Sequence, residues 1–135
     1  MLGRAEIERR VPHAGAMCLL DAVTRWDAGC IECEAAAPIA HHPLARDGGV
    51  PAVAAVEYAA QATAVHGSLL DETGTPRRGV LAKLSDVEIA PRCIIGALTI
   101  RAELIGRSDT GCMYSFAVHD TRSCCARGRL LVALQ

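Results

Sequence analysis

Apolar and polar residues alternate along much of the chain, as they do in strands that bury one face of a sheet. In residues 97–105, for example, Leu98, Ile100 and Ala102 share one face, whereas the residues between them are mostly polar. The alternation and the turn signals between segments predict six strands, four of them in the second half of the chain: 16–27, 30–37, 79–90, 97–105, 111–120 and 128–135. The first two form a predicted hairpin across the turn Asp-Ala-Gly.

A different period appears between Pro51 and Leu70, where apolar residues recur every three or four positions. Pro51 suits the start of a helix, where its missing N–H is not needed. This helix is apolar almost all round, which predicts burial on most sides. A short turn or helix is also predicted over residues 5–12. The fold class is therefore α+β, with an antiparallel sheet wrapped around one long central helix.

Composition limits what the chain does. Its 135 residues, 51% of them hydrophobic, predict a single domain spanning residues 1–135. Aromatic residues make up only 3%, so small side chains fill the core and a subunit interface is expected to add to it. A net charge of −1 argues against nucleic-acid binding. We expect a cytoplasmic protein, because the N-terminus lacks a signal-peptide pattern and the longest apolar run is interrupted by polar residues.

The seven cysteines are expected to be reduced packing residues. Cys30 and Cys33 form a C-x-x-C pair that is typical of zinc or redox sites. However, they lie in a segment that alternates like a strand, so their side chains point to opposite faces and do not share a metal.

Glu57 is the charge that the predicted helix does not explain. It lies in the apolar run, where a carboxyl group is costly unless it is paired or protonated. Gln61 follows one turn later on the same face and can donate a hydrogen bond to it. Burial disfavours the ionised form of a carboxyl group, which suits a general acid. A glutamate at the edge of the helix that reaches solvent is the alternative.

Two histidines, His41 and His42, precede the helix in a loop rich in Pro and Gly. A histidine beside a protonated glutamate forms an acid–base pair. Solvated loop histidines are the alternative. With one carboxylate and no spaced third ligand, no metal site is predicted.

Four segments carry a family resemblance: VPHAGAMCLLDAV, HHPLARDGGVP, VEYAAQA and SDVEIAPRCIIGALTIRAEL. In this order they resemble the β-hydroxyacyl–acyl carrier protein dehydratases of the hot-dog fold. In particular, the chain resembles the dehydratase-like proteins of aryl polyene biosynthesis clusters, in which RDGG and EYMAQ patterns recur. The resemblance extends over about residues 10 to 105. It implies a hot-dog fold and the dehydration of 3-hydroxyacyl thioesters to trans-2-enoyl thioesters, in fatty acid or polyene-type biosynthesis.

The resemblance also implies a catalytic pair. Glu57 matches the family's acid, and His42, which precedes Pro43, is the better match for its base, with His41 in reserve. His42 would take the C2 proton of the substrate while Glu57 protonates the leaving hydroxyl. The implied substrate-binding residues surround the start of the helix: Gly49, Ala52, Val53 and Gln61. No metal or redox cofactor is implied.

The implied partners follow from this chemistry. The family resemblance implies a dimer in which His42 of one subunit meets Glu57 of the other, either a homodimer or a hot-dog heterodimer, or a higher oligomer. The substrate would arrive on an acyl carrier protein, which is acidic. Four cations are candidates for docking it, because opposite charge steers encounter: Arg77, Arg78, Lys83 and Arg92.

Two other functions fit the same fold, because fold alone does not decide function. In a hot-dog thioesterase or hydratase, Glu57 would activate water instead of protonating a hydroxyl group. In a non-catalytic hot-dog subunit, the chain would only pair with an active dehydratase.

Overall fold

The computed structural model describes residues 1–11, 15–39, 41–71 and 79–134. Within these residues, seven strands form one antiparallel sheet in the order β1-β2-β3-β5-β6-β7-β4. The strands are β1 (Leu2–Gly3), β2 (Ala22–Asp27), β3 (Cys30–Ala35), β4 (Gly79–Ile89), β5 (Leu98–Arg107), β6 (Gly111–His119) and β7 (Cys124–Leu134). The order leaves β1 and β4 at the two edges of the sheet.

The long helix, α2 (Ala55–Leu70), packs across β3, β5, β6 and β7. A 3₁₀ turn at Ala52–Ala54 leads into it, directly after Pro51. A short helix, α1 (Arg4–Arg10), packs beside α2, and a second 3₁₀ turn spans Gly15–Met17. The α+β prediction of an antiparallel sheet around a central helix is confirmed. Neither described helix is long and apolar enough to cross a membrane.

The alternation predicted for the central strands is confirmed by burial. On β6, Cys112, Tyr114, Phe116 and Val118 are buried while their neighbours are more exposed. On β3, the face that includes Cys33 is buried, and Cys30 lies on the other face. The buried faces of these strands and of β5 form the core with α2. The helix is apolar on most sides because the sheet packs against one side of it, and α1 and the buried segment around Leu19 also contact it.

The strand predicted over residues 16–27 is wrong in its first half. Residues 18–21 have no regular structure, and β2 begins only at Ala22. Cys18, Leu19 and Leu20 are all buried in succession, which is not the alternation of a strand. The Leu19 N–H donates to the side chain of Gln61, at 2.9 Å, instead of to a neighbouring strand.

The last strand begins at Cys124, earlier than the predicted residue 128. Gly128 interrupts the apolar pattern because β4 bulges against it, between Ser85 and Glu88. A Cβ atom at Gly128 would lie 3.0 Å from the Cα of Val87. Glycine is therefore required by close packing within β7, not by a turn at its start.

Edge strand β4 has an unusual surface. Four of its apolar residues, Val80, Leu81, Leu84 and Ile89, are each at least 40% exposed. An edge strand also presents unpaired backbone groups. Among the described residues, this edge of the sheet is thus apolar and has no pairing strand.

Candidate active site

Glu57 lies in the first turn of α2 and is held from one side by Gln61. The Gln61 side chain, 2% exposed, accepts a hydrogen bond from the Leu19 N–H and donates to the Met17 carbonyl at 2.7 Å. These two contacts fix the orientation of the amide, because an N–H cannot accept and a carbonyl cannot donate. The amide nitrogen therefore faces Glu57 and donates to its Oε1 at 3.2 Å. Gln61 thus connects the acid to the segment that precedes β2.

A cavity of about 660 Å³ opens beside the Glu57 carboxyl group. Small-molecule sites commonly occupy roughly 300–1,000 Å³. Its walls are one face of α2, the end of α1 and the neighbouring ends of four strands. Glu57 and Gln61 both border it, but His42 does not. The carboxyl group therefore lies at the wall of a space large enough for a small organic ligand.

His42 lies in the loop before α2 and contacts the helix residue next to Glu57. Its Nε2 is 2.9 Å from the Tyr58 hydroxyl, and the two rings are stacked with their centroids 6.0 Å apart. Its Nδ1 accepts a hydrogen bond from the Leu44 N–H at 3.0 Å. Since the neutral ring carries one proton, that proton is on Nε2 and is donated to Tyr58. Both ring nitrogens are therefore engaged within the chain.

The surroundings of His42 favour its neutral form. Burial lowers the pKa of His42, because desolvation disfavours the charged ring. Burial raises the pKa of Tyr58 to about 12, so the tyrosine keeps its proton. His41, the reserve candidate, is exposed, and its side chain makes no hydrogen bond with the described residues. Of the two loop histidines, His42 is the one positioned by contacts.

A tight turn brings the loop to the helix. Asp47 and Gly48 both have positive φ, 51° and 83°, which is typical of a type I′ turn at Asp-Gly. Gly49 follows it, and a Cβ atom there would lie 2.9 Å from Cys93 Sγ. Close packing against Cys93 therefore explains the glycine, and its substrate-binding role stays a prediction.

The two backbone N–H groups at the helix start differ. The Ala52 N–H donates to the Arg92 carbonyl at 2.9 Å, so it is engaged within the chain. The Val53 N–H has no acceptor in the described part of the chain, and its residue is 53% exposed. Of the predicted pair, Val53 is the one with a donor available to a ligand. Substrate binding by either residue stays a prediction.

Within one chain, the proposed base and acid lie on different faces of α2. Glu57 and Tyr58 are successive helix residues and lie about 100° apart around the axis. His42 packs on the Tyr58 side, whereas Glu57 faces the cavity. One chain therefore does not unite them at a common site, which is compatible with a site shared between two subunits.

The four cations predicted to dock a carrier have different positions. Arg77 and Arg78 lie outside the described residues. Lys83 is exposed on edge strand β4. Arg92 forms an ion pair with Asp120, with a nitrogen–oxygen distance of 2.6 Å, and also donates to the Ser123 hydroxyl. This pairing holds the pKa of Asp120 far below its usual range and gives Arg92 a structural partner; its docking role stays a prediction.

The sequence did not predict a second histidine–tyrosine pair. His66 is fully buried, with Nε2 2.7 Å from the Asp27 carbonyl and Nδ1 2.7 Å from the Tyr114 hydroxyl. His66 follows Glu57 by nine residues, about half a turn around the helix, and does not border the cavity. Tyr114 does border it. In the sequence, the only sign of this pair is that both of its residues lie on the apolar faces of their elements.

An antiparallel sheet around α2, with a carboxyl group on the helix beside an elongated cavity, defines a hot-dog protein. Residues 5–134 match the model of the ApeP-like family, described as ApeP dehydratase. The chain belongs to this dehydratase family, as its resemblance to the aryl polyene proteins predicted. No curated protein sequence matches the chain.

Solved structures share this fold. The dehydratase heterocomplex ApeI:P from Xenorhabdus doucetiae is similar, with a TM-score of 0.78 and 21% identity over 96% of this chain and 90% of that chain. A thioesterase from Staphylococcus aureus has a TM-score of 0.68 and 14% identity, over 84% and 92%. One from Haemophilus influenzae has a TM-score of 0.64 and 18% identity, over 84% and 76%. At these identities the structures establish the fold and not the reaction.

Proposed function

We propose that the protein dehydrates 3-hydroxyacyl thioesters, delivered on an acyl carrier protein, to trans-2-enoyl thioesters in fatty acid or polyene-type biosynthesis. The observation that carries this proposal is the Glu57 carboxyl group, oriented by Gln61 at the wall of the cavity. Membership of the ApeP-like dehydratase family supports it. The fold alone would serve a thioesterase equally well.

The proposed reaction removes water across C2 and C3. His42 takes the C2 proton, which the thioester carbonyl makes acidic, and the electron pair of the C2–H bond forms the new double bond. The C3–O bond breaks as protonated Glu57 gives its proton to the departing hydroxyl group, and water leaves. His42 then ends protonated and Glu57 ionised, so a proton returns from one to the other before the next turnover. The Val53 N–H would stabilise charge on the carbonyl oxygen.

The base must first become available. In the isolated chain, His42 donates from Nε2 to Tyr58 and accepts at Nδ1 from Leu44. Opening the bond to Tyr58 alone would leave the proton on Nε2, so the bond from Leu44 has to open. The ring can then accept the C2 proton at Nδ1, or at Nε2 once the ring proton has moved to Nδ1. We infer that substrate or a second subunit supplies this change.

We propose a second hot-dog subunit as the partner, in a heterodimer, a homodimer or a higher oligomer. The exposed apolar residues of β4 and its open backbone edge are the surface that such a subunit would cover. The similar ApeI:P structure is itself a heterocomplex, which supports a heterodimer. In this arrangement His42 of one subunit faces Glu57 of its partner. Lys83 lies on the same strand, so covering β4 would compete with its use in carrier docking.

The test is the reaction itself, run with the full chain alone and with a candidate partner subunit. We expect enoyl thioester absorbance to appear, and Glu57→Gln to lower its rate by about 10²–10⁴-fold, since an amide is not acidic enough to protonate the leaving hydroxyl group. Glu103→Gln is a matched control, because Glu103 is an exposed glutamate on β5. Full activity in Glu57→Gln would refute the acid role, and release of free thiol without enoyl product would instead identify a thioesterase.

A non-catalytic subunit is the second candidate, and the double engagement of His42 favours it. In a complex with an active partner, such a subunit would tolerate His42→Ala and Glu57→Gln together. If the double variant assembles normally and the complex keeps its full rate, the chain is a supporting subunit. A rate that collapses while assembly is preserved would eliminate this alternative.

A further inference from the structure

The cavity beside Glu57 follows one stripe of α2 from the acid toward the end of the helix. The helix residues of this stripe recur every three or four positions, at Glu57, Ala60, Ala64 and Gly67, and the cavity continues to Asp71, directly after the helix. From Glu57 to Gly67 this stripe is almost three turns long, or about 15 Å at the rise of an α-helix. The cavity is thus elongated along the helix, with the proposed acid at one end.

The opposite wall comes from the sheet. Leu81 of β4, Cys112 of β6 and Val132 of β7 face the helix stripe across the cavity. These strands pair in register at this point, because Val132 pairs with both Leu81 and Cys112. The wall opposite the small helix residues is therefore continuous and largely apolar.

Gly67 is the smallest residue along this stripe, and neither its backbone nor its packing requires glycine. Its φ is not in the left-handed region, and a Cβ atom built on it would meet no atom within 4 Å. By contrast, a Cβ atom at Gly79 or Gly111 would lie within 3 Å of another atom. Glycine inside a helix is destabilising relative to alanine. What the missing side chain does provide is open space in the cavity.

We propose that Gly67 sets the longest acyl chain that the site accepts, an inference that rests on the proposed function. A chain whose reacting carbons lie at Glu57 reaches Gly67 after almost three turns of the helix, about 15 Å. The three backbone bonds of an extended residue span about 3.5 Å, so an extended acyl chain advances about 1.2 Å per bond. The distal end of an acyl chain about a dozen bonds long therefore passes over Gly67, whereas a short chain ends near Ala60 or Ala64.

Binding tests this without turnover. The probes are acyl-pantetheine thioethers with chains of six and fourteen carbons, titrated calorimetrically into the full chain. Each buried methylene strengthens binding roughly fourfold, so the wild type is expected to prefer the longer probe by at least tenfold. Gly67→Leu is expected to weaken binding of the fourteen-carbon probe at least tenfold and to leave the six-carbon probe within twofold.

Gly3→Leu is the matched control, because a Cβ atom there also meets nothing within 4 Å and Gly3 does not border the cavity. It should bind both probes like the wild type. Gly67→Met, whose unbranched side chain suits a helix, serves as a second variant if Gly67→Leu does not fold. Unchanged binding of the long probe in a folded Gly67 variant, or a wild type without length preference, would overturn the proposal.

Turnover of 3-hydroxyacyl thioesters of the same lengths is measured separately. If the wild type shows length-dependent binding that Gly67→Leu abolishes, but no dehydration, the proposed reaction fails while Gly67 still sets the chain length. If dehydration occurs at all lengths and the Gly67 variants keep the wild-type length profile, the reaction stands and the role of Gly67 is refuted.

Discussion

The described residues include two histidine–tyrosine pairs, each with one residue on α2, that have the same chemistry and opposite hydrogen-bond directions. In the first, Leu44 N–H occupies Nδ1 of His42, so the histidine donates to Tyr58. In the second pair, Nε2 of His66 donates its proton to the Asp27 carbonyl. Nδ1 therefore has no proton and accepts a hydrogen bond from Tyr114. The backbone group on the far side of each ring decides the direction.

The pairs also differ in burial and ring geometry. His66 is fully buried and meets Tyr114 edge-on, at an interplanar angle of 81°. His42 is only half-buried and stacks on Tyr58 at 20°. Water can replace a lost hydrogen bond at the first pair but not at the second. We therefore interpret His66–Tyr114 as a structural contact that holds the helix against the sheet, and His42–Tyr58 as a contact that can open.

Removing each histidine gives the largest expected contrast. His66→Ala should lower the free energy of unfolding by about 2–4 kcal/mol, since it leaves a cavity and removes the partner of the buried Tyr114 hydroxyl. His42→Ala should change it by less than about 1 kcal/mol but lower the proposed dehydration by about 10²–10⁴-fold. Denaturant melts and steady-state rates measure the two effects. Equal destabilisation by both variants would show that His42, like His66, mainly stabilises the fold.

The architecture was predictable from sequence because it depends on local patterns. The three- and four-residue period after Pro51 identifies α2, and alternation identifies β3, β5 and β6. Glu57 was identified because a carboxyl group does not belong in an apolar helix, and the structure places it at a cavity. In each case, one segment carries the whole signal.

The contacts that distinguish the two histidines were not predictable in this way. His66 meets Asp27, which is far away in sequence, only because the β2–β3 hairpin folds against α2. The engagement of His42 depends on a turn that directs the Leu44 N–H at its ring. The same limit explains the error at Cys18–Leu20, where an apolar run is buried without alternating and its N–H finds Gln61. Periodicity reports burial, but it does not report which distant group satisfies a polar atom.

Acid should affect the two pairs differently. Burial lowers the pKa of His66 from its ordinary value near 6.5, and the charge of Arg107 adds to this while the Asp27 carbonyl opposes it. The unfolded chain therefore gains a proton at His66 as the pH falls through about 6.5, and the folded chain gains it only at lower pH. Stability should decline below about pH 6.5, by at most ~1.4 kcal/mol per pH unit from this group.

Unfolding curves between pH 7.5 and 5 measure this decline. His66→Gln should flatten part of it, because glutamine does not titrate. His42→Gln should flatten it less, since burial also lowers the pKa of His42 but the ring is partly solvated. The reverse order would show that the half-buried histidine is the more strongly shielded one, and the contrast between the pairs would fail.

The tyrosines give the smallest and sharpest contrast, because both are 1% exposed and the same change can be made in each. Tyr114→Phe removes the only donor that Nδ1 of His66 has among the described residues, and the nitrogen is left buried. We expect a loss of about 1–2 kcal/mol in the free energy of unfolding. Tyr58→Phe removes the hydrogen-bond acceptor of the half-buried His42 ring, whose N–H can instead bind water, so we expect a change within about 0.5 kcal/mol.

Because the two tyrosines are equally buried and lose the same atom, a difference in the urea midpoints isolates the solvation of the histidine. Equal losses would mean that the His42–Tyr58 contact is sealed from water, and then opening it for catalysis would require the partner subunit and not the substrate alone.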